Sequence, residues 1–319
     1  MGGARGKPMI AEWGTPSNLI EARDIHHLQR GEKFRLPYTE MYEIATKAEV
    51  DTQNGVWYWE NGIIYLSATD GSDATVKQYE ARIRDGIVHS NGSINLYRLD
   101  ILFSQVYGFV STGISVYRED CRIYGSKHNG FSDNANSTTS YRDISLANGN
   151  DGFNGTVTSY TTENLTTAVQ ATYFDPYGAL NGDDGISFHI RGTCNIYGGL
   201  FEYNTKAGVV HVTGGGGNCY NTIARGQDYG FYTATTAPDG RNLSTMHCHN
   251  TIAERNKHNY CGGSNSSELY CFGTMSIDPI TSGYSVLGGK VVARNCKYNG
   301  DPAKAKTGAV EVINDSALV

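Results

Sequence analysis

The stretch NGDDGISFHIRGTCNIYGGLFEYNTKAGVVHVTGGGGNCYNTIARGQDYGFY, residues 181–232, states one phrase twice. A small or acidic residue precedes Gly, and a short apolar–polar alternation follows. A Gly/Asn-rich turn, a Cys and a second alternation complete the unit. Gly185, Gly208 and Gly230 fall 23 and 22 residues apart. Alternation marks half-buried strands, and a unit of this length repeated along a chain marks stacked coils.

Outward from this stretch the phrase recurs. YRLDILFSQVYGF (97–109), YREDCRIYGSKHNGF (117–131) and YRDISLANGNDGF (141–153) carry the same Gly at 108, 130 and 152. The column then passes through Gly185, Gly208 and Gly230, and more loosely to Gly283 and Gly308. Phe109, Phe131, Phe153, Ile186, Val209 and Phe231 follow it as an apolar stack. Cys194, Cys219, Cys248, Cys271 and Cys296 recur every 23 to 29 residues, with Ile101, Cys121 and Ile144 in their slot earlier. They read as one inward column of free thiols, because an odd total of seven Cys cannot pair completely and no CxxC or Cys/His cluster has metal-site spacing. The step from Gly152 to Gly185 is 33, and its surplus reads as a loop protruding around residues 167–180.

Together these features predict an all-β chain wound as a right-handed parallel β-helix, a solenoid with about 22–25 residues per coil. A leucine-rich repeat lacks its Leu-x-x-Leu-x-Leu frame here, and a β-sandwich would show no fixed period. Residues 1–78 read as an N-terminal cap and 79–319 as the β-helix. Within the cap, TEMYEIATKAEV (39–50) fits a short amphipathic helix capped by Thr39. GVWYWENGIIYLSA (55–68) fits a hairpin turning on Asn61-Gly62.

Composition narrows the function classes. The 39 Gly and only 7 Pro suit tight turns between short strands. A net charge of −6 argues against a basic face that grips nucleic acid. No apolar run is long enough to span a membrane. The start, MGGARGKPMIAEWG, shows no signal peptide. The expectation is a chain that acts extracellularly or as part of a virion, with a polysaccharide as partner.

The residue before the column Gly stays in register from coil to coil as Tyr107, Asn129, Asp151, Asp184, Ala207 and Tyr229. Stacked rungs set Asp151 and Asp184 about 5 Å apart, with Asp183 beside them. Carboxylates this close do not all ionise freely, which suits a general acid or, with oxygen ligands, a Ca²⁺ site. Asp and Asn before Gly are also ordinary turn formers, so a purely structural role stays open. β-Elimination from a uronic acid needs its carboxylate neutralised and a base for the C5 proton. Lys206, Arg191, Arg225 or a Ca²⁺ held by Asp151, Asp183 and Asp184 could serve the first need. His189, His211 or Lys206 could serve the second. Tyr124, Tyr173, Tyr177, Tyr197, Tyr229 and Tyr232 are candidates for stacking on sugar rings. His247, His249 and His258 read as packing residues, the alternating ones placed on opposite sides of their strand.

Over roughly residues 80–310 this organisation resembles the pectate-lyase-like superfamily of right-handed β-helix proteins, and WYWENGIIYLSATDGSD (57–73) resembles their entry hairpin. NGDDGISF (181–188) is similar to the Gly-Asp-Asp-Cys motif of polygalacturonase-type hydrolases, with Gly185 where Cys stands. The resemblance implies Asp183 and Asp184 as an acid/base pair and Asp151 as a third carboxylate. The Gly-His-Gly and Arg-x-Lys motifs of those hydrolases are not matched. The expected function is degradation of an acidic polysaccharide by a lyase or glycoside hydrolase. The alternative is a non-catalytic, tailspike-like receptor-binding β-helix, for which the resemblance implies a homotrimer.

Overall fold

A computed structural model describes residues 92–102, 104–156, 169–190, 192–234, 243–264 and 267–313, with strands and short segments before residue 92. From residue 87 onward the chain is an all-β parallel solenoid of about nine turns. Each full coil lays down three short strands, and like strands stack into three parallel sheets. The first sheet has ten strands, from Ile87–His89 to Lys306–Thr307. The second also has ten, from Ser93–Tyr97 to Glu311–Ile313. The third has nine, from Asp100–Leu102 to Lys297–Asn299.

The apolar stack predicted after the column Gly holds. Phe109, Phe131, Phe153, Ile186, Val209, Phe231, Tyr260 and Tyr284 pair rung by rung and point into the core. Ring centroids 5.2 Å apart at Phe131–Phe153 and 5.0 Å apart at Tyr260–Tyr284 match the spacing of neighbouring strands. The column Gly is required by close approach. A Cβ on Gly130, Gly152 or Gly185 would stand 2.7 Å from the carbonyl oxygen of the Gly one coil on. Gly283 keeps the column, whereas Asn259 interrupts it and Ala305 replaces Gly308 as its last member.

Two corners turn on single residues in the left-handed region. Between the second and third sheets these are Arg98, Asp120, Arg142, Asp175, Asn221, Asn250 and Asn295, with φ from 50° to 56°. After the third sheet Ala147, Leu180, Tyr203 and Arg255 do the same. Each costs about 1 kcal/mol or more. The ladder offsets this, because corner amides still donate to the next coil, as in Asp120 N–H to Tyr141 O at 2.9 Å.

Several expectations need correcting. The Cys residues do not form one column. Cys219, Cys248 and Cys271 stack in the second sheet, Cys194 sits in the adjacent inward column, and Cys121 and Cys296 lie at the following corner. All seven are buried and free. Within the loop expected around 167–180, Gln170–Phe174 and Tyr177–Ala179 are instead coil strands. The surplus falls at the first-to-second corner between Gly155 and Gln170, where 157–168 lie outside the described residues. Instead of a helix over 39–50, Tyr38–Glu43 is a strand and only Lys47–Val50 is helical. Aromatic and β-branched residues favour a pleated position, and this strand is flanked by two others. The hairpin is present, with Val56–Glu60 antiparallel to Ile63–Ser67 and Glu60 opposite Ile63. Its Asn61-Gly62 turn lies outside the described residues, as does the adjacent pair His26-His27, which the sequence reads as surface residues rather than ligands.

Candidate functional site

The corner leading into the first sheet carries two polar ladders. Inside it, Asn148, Asn181, Asn204, Gln227 and Asn256 are all buried. Asn181 Oδ1 accepts from Asn148 N–H (3.1 Å) and Asn148 Nδ2 (2.9 Å), and Asn181 Nδ2 donates to Asn204 Oδ1 (2.9 Å). Asn204 Nδ2 donates in turn to Gln227 Oε1 (3.1 Å), and Gln227 N–H to Asn256 Oδ1 (3.2 Å). Sequence reasoning missed this ladder, although an Asn four residues before the column Gly recurs at 148, 181 and 204.

The second ladder lies on the outer side and contains the predicted carboxylates. Asn129 Oδ1 accepts Asp151 N–H (3.2 Å), Asp151 Oδ1 accepts Asp184 N–H (3.3 Å), and Asp184 Oδ1 accepts Ala207 N–H (3.0 Å). Asp151 Oδ2 also accepts from Asn154 Nδ2 at 2.7 Å. Asp151 and Asp184 are each 2% exposed. Asp183 is half-buried beside them, and one oxygen from each of the three carboxylates lies within 4.8 Å of the others. Lys206 Nζ stands 3.4 Å from Asp183 Oδ1, both side chains partly exposed. The register predicted for Asp151 and Asp184 is thus correct, and it brings Asp151, Asp183, Asp184 and Lys206 together.

Burial dominates the electrostatics. It pushes the Asp151 carboxyl up to about 7, against the Asn154 hydrogen bond, and the Asp183 charge adds to the rise. Burial first, then the Asp151 and Asp183 charges, holds Asp184 well above the usual carboxylate range. Lys206 is raised because the carboxylates outweigh its own desolvation. His189 sits on the same outer face, its Nε2 2.6 Å from Ser187 Oγ, and burial followed by the Lys206 charge lowers its pKa. Tyr229 and Tyr232 stack 4.3 Å apart on this face, and His258 packs on Tyr229 at 5.5 Å. Burial raises Tyr232 to about 12.

Other predicted site residues are elsewhere. His211 is fully buried in the inward column of Phe188 and Thr233, and burial lowers it to about 4, which removes it as a surface base. Tyr173 is likewise interior, and its hydroxyl donates to Asp133 Oδ2 at 2.6 Å, so it stacks on no sugar. Asp133 there meets Arg118, which also donates to Asp143 Oδ2 at 2.7 Å, a fully buried ion network that sequence reasoning missed. Tyr177 and Arg225 lie on the third sheet, both donating to Glu202, at 2.6 and 2.7 Å. Arg191 lies outside the described residues.

The donor set argues against calcium as the natural occupant. Ca²⁺ takes about 6–8 oxygen ligands. Both Asp151 oxygens and one of Asp184 already accept N–H groups, and an ammonium already faces Asp183. Shared protons and a lysine suit the cluster better. Among the described residues no helix is long and apolar enough to cross a membrane. No family model, curated protein or solved structure matches this chain.

Proposed function

We propose that this protein degrades an acidic polysaccharide on the outer face of its first sheet, in the manner the pectate-lyase-like resemblance suggests. The observation that carries this reading is the packing of three carboxylates within 4.8 Å of one another, with an ammonium on their rim. At mildly acidic pH two of the carboxyls hold protons, which leaves Asp183 and Lys206 as a nearly neutral charged pair. Such a face does not repel an anionic polymer. A substrate carboxylate takes the Lys206 ammonium away from Asp183, and this uncovers the acids behind them. Asp184 then supplies the proton that the departing glycosidic oxygen needs, and neutral His189 takes a proton from the sugar. Tyr229 and Tyr232 offer an aromatic wall beside them. Elimination uses all three groups directly, while hydrolysis needs the base to act on water.

A binding-only, tailspike-like role has one specific observation in its favour. Asn129 performs the same backbone task as Asp151 and Asp184, so the position has a structural use without acid chemistry. Incubation with a panel of uronic-acid polymers separates the readings. Elimination gives an unsaturated end that absorbs in the ultraviolet, and hydrolysis gives reducing ends without it. Polymer binding with neither product, or full activity in Asp184→Asn, would sink the catalytic reading. A threefold mass by light scattering would support the homotrimer and an extracellular or virion-borne setting.

A further inference from the structure

The second sheet carries an outward ring ladder that the carboxylate cluster does not involve. Tyr141, Phe174, Tyr197, Tyr220, His249 and Phe272 stack coil on coil, with centroids 4.5 to 5.2 Å apart. His249 is the one member of this run with ring nitrogens. It is clamped between Tyr220 (4.7 Å, 13°) and Phe272 (5.0 Å, 17°), so both faces are covered and only its edge is presented. The expected placement of His247 and His249 on opposite sides of their strand is incorrect. Residues two apart share a face. In Ser244–His249 both imidazoles are outward and half-buried, while Cys248 between them is buried.

The two rings lie with centroids 6.4 Å apart and planes at 79°. His247 is held edge-on by Tyr270 at 5.0 Å. Its neighbours in the same column of the preceding coils, Asn195 and Asn218, are short. Glu268, on the next strand, accepts the Tyr270 hydroxyl at 2.7 Å, and its negative charge acts on His247. Among the described residues neither imidazole has a hydrogen-bond partner for its nitrogens.

We infer that His247 and His249 form a two-ligand chelate for one borderline divalent transition ion such as Zn²⁺ or Ni²⁺, completed by solvent. Imidazole nitrogen suits these ions, whereas the oxygen-rich cluster of the first sheet does not. Bonds of about 2.1 Å from one nitrogen of each ring to a tetrahedral ion set the ring centres about 5 Å apart. A rotation of the less tightly held His247 that shortens the separation by a little over 1 Å closes the chelate.

Calorimetric titration of the full chain with zinc or nickel chloride tests this. One ion per chain should bind in the micromolar range, and NMR ring signals of His247 and His249 should shift first. His249→Phe keeps the ring stack and removes the nitrogens, so it should weaken binding by about tenfold or more with an unchanged melting temperature. His247→Asn should weaken it similarly, and Asp184→Asn should leave it unaltered. Absence of binding at millimolar metal, or wild-type affinity in either histidine variant, would overturn the assignment. So would loss of binding in Asp184→Asn alone.

Discussion

Two ladders pass through the same corner of this solenoid and answer the same backbone need differently. The inner one is built of amides, Asn148, Asn181, Asn204, Gln227 and Asn256, and each accepts the previous coil's N–H. The outer one accepts the next coil's N–H, first through Asn129 and then through Asp151 and Asp184. An amide both donates and accepts, so stacked amides satisfy one another and titrate nothing. A carboxyl can only accept unless it keeps a proton. Where Asp replaces Asn in a 2%-exposed position, burial therefore converts a structural bond into a held proton. Asp183 and Lys206, beside Asp151 and Asp184, form a partly exposed ion pair.

Breaking the inner ladder should have the largest effect. Asn181→Ala removes the acceptor of Asn148 N–H and one of the two acceptors of Asn148 Nδ2, and leaves Asn204 Oδ1 with the residue-181 backbone N–H as its remaining donor. With these groups buried, the loss should be about 3–5 kcal/mol, read by denaturant unfolding. A change below about 1 kcal/mol would show that water replaces the amide there and that the ladder contributes little.

The sequence made the coil period legible because backbone sterics impose it. Over Gly130, Gly152 and Gly185 a Cβ would stand 2.7 Å from the next coil's carbonyl oxygen, which keeps Gly there, and the aromatic after it stacks on its own image. The corners were illegible because Ala147, Leu180 and Tyr203 take the left-handed region without being Gly or Asn. The Asp151–Asp184 register was legible from the Gly column, but which residues turn inward was not. His211 and Tyr173 follow the strand alternation into the core, and the 33-residue step that misplaced the loop belongs to a different corner.

Titration offers the next largest effect, with two opposing signs. Asp151 is raised to about 7 in the folded chain, so its folded state holds a proton that the unfolded chain releases near pH 4. Its contribution is present at low pH and lost as pH rises from about 4 to about 7, by about 4 kcal/mol at most. Asp184 acts in the same direction. His211, lowered to about 4, contributes the reverse, with stability lost as pH falls from about 6.5 to about 4, by about 3 kcal/mol. Asp151→Asn should flatten the decline of stability between about pH 4 and pH 7. His211→Phe should raise stability near pH 5 while leaving that decline in place. Melting curves across pH read both, and parallel profiles for wild type and Asp151→Asn would refute the buried proton.

A smaller effect separates chemistry from scaffold at one atom. Asp184→Asn keeps an oxygen for Ala207 N–H, so the outer ladder becomes like the inner one. Stability should change by less than about 1 kcal/mol, while polymer cleavage falls by about a hundredfold or more. Asp184→Leu, which removes the acceptor as well, should also lower the melting temperature. If Asn and Leu destabilise equally, the Ala207 bond is not what the carboxyl supports.

Lys206→Met should have the smallest effect on the fold and a selective one on function. The Lys206–Asp183 pair is partly exposed on both sides, so its loss should cost under about 1 kcal/mol in stability. The alkyl stem remains to cover the face, but the charge that meets a substrate carboxylate is gone. KM for an acidic polymer should therefore rise and lose much of its dependence on salt, with kcat reduced less. An uncharged polymer of the same linkage should bind the variant as well as wild type. Equal losses on both polymers would mean that Lys206 positions Asp183 rather than reads the substrate's charge, and the neutral-pair account of the outer ladder would then fail.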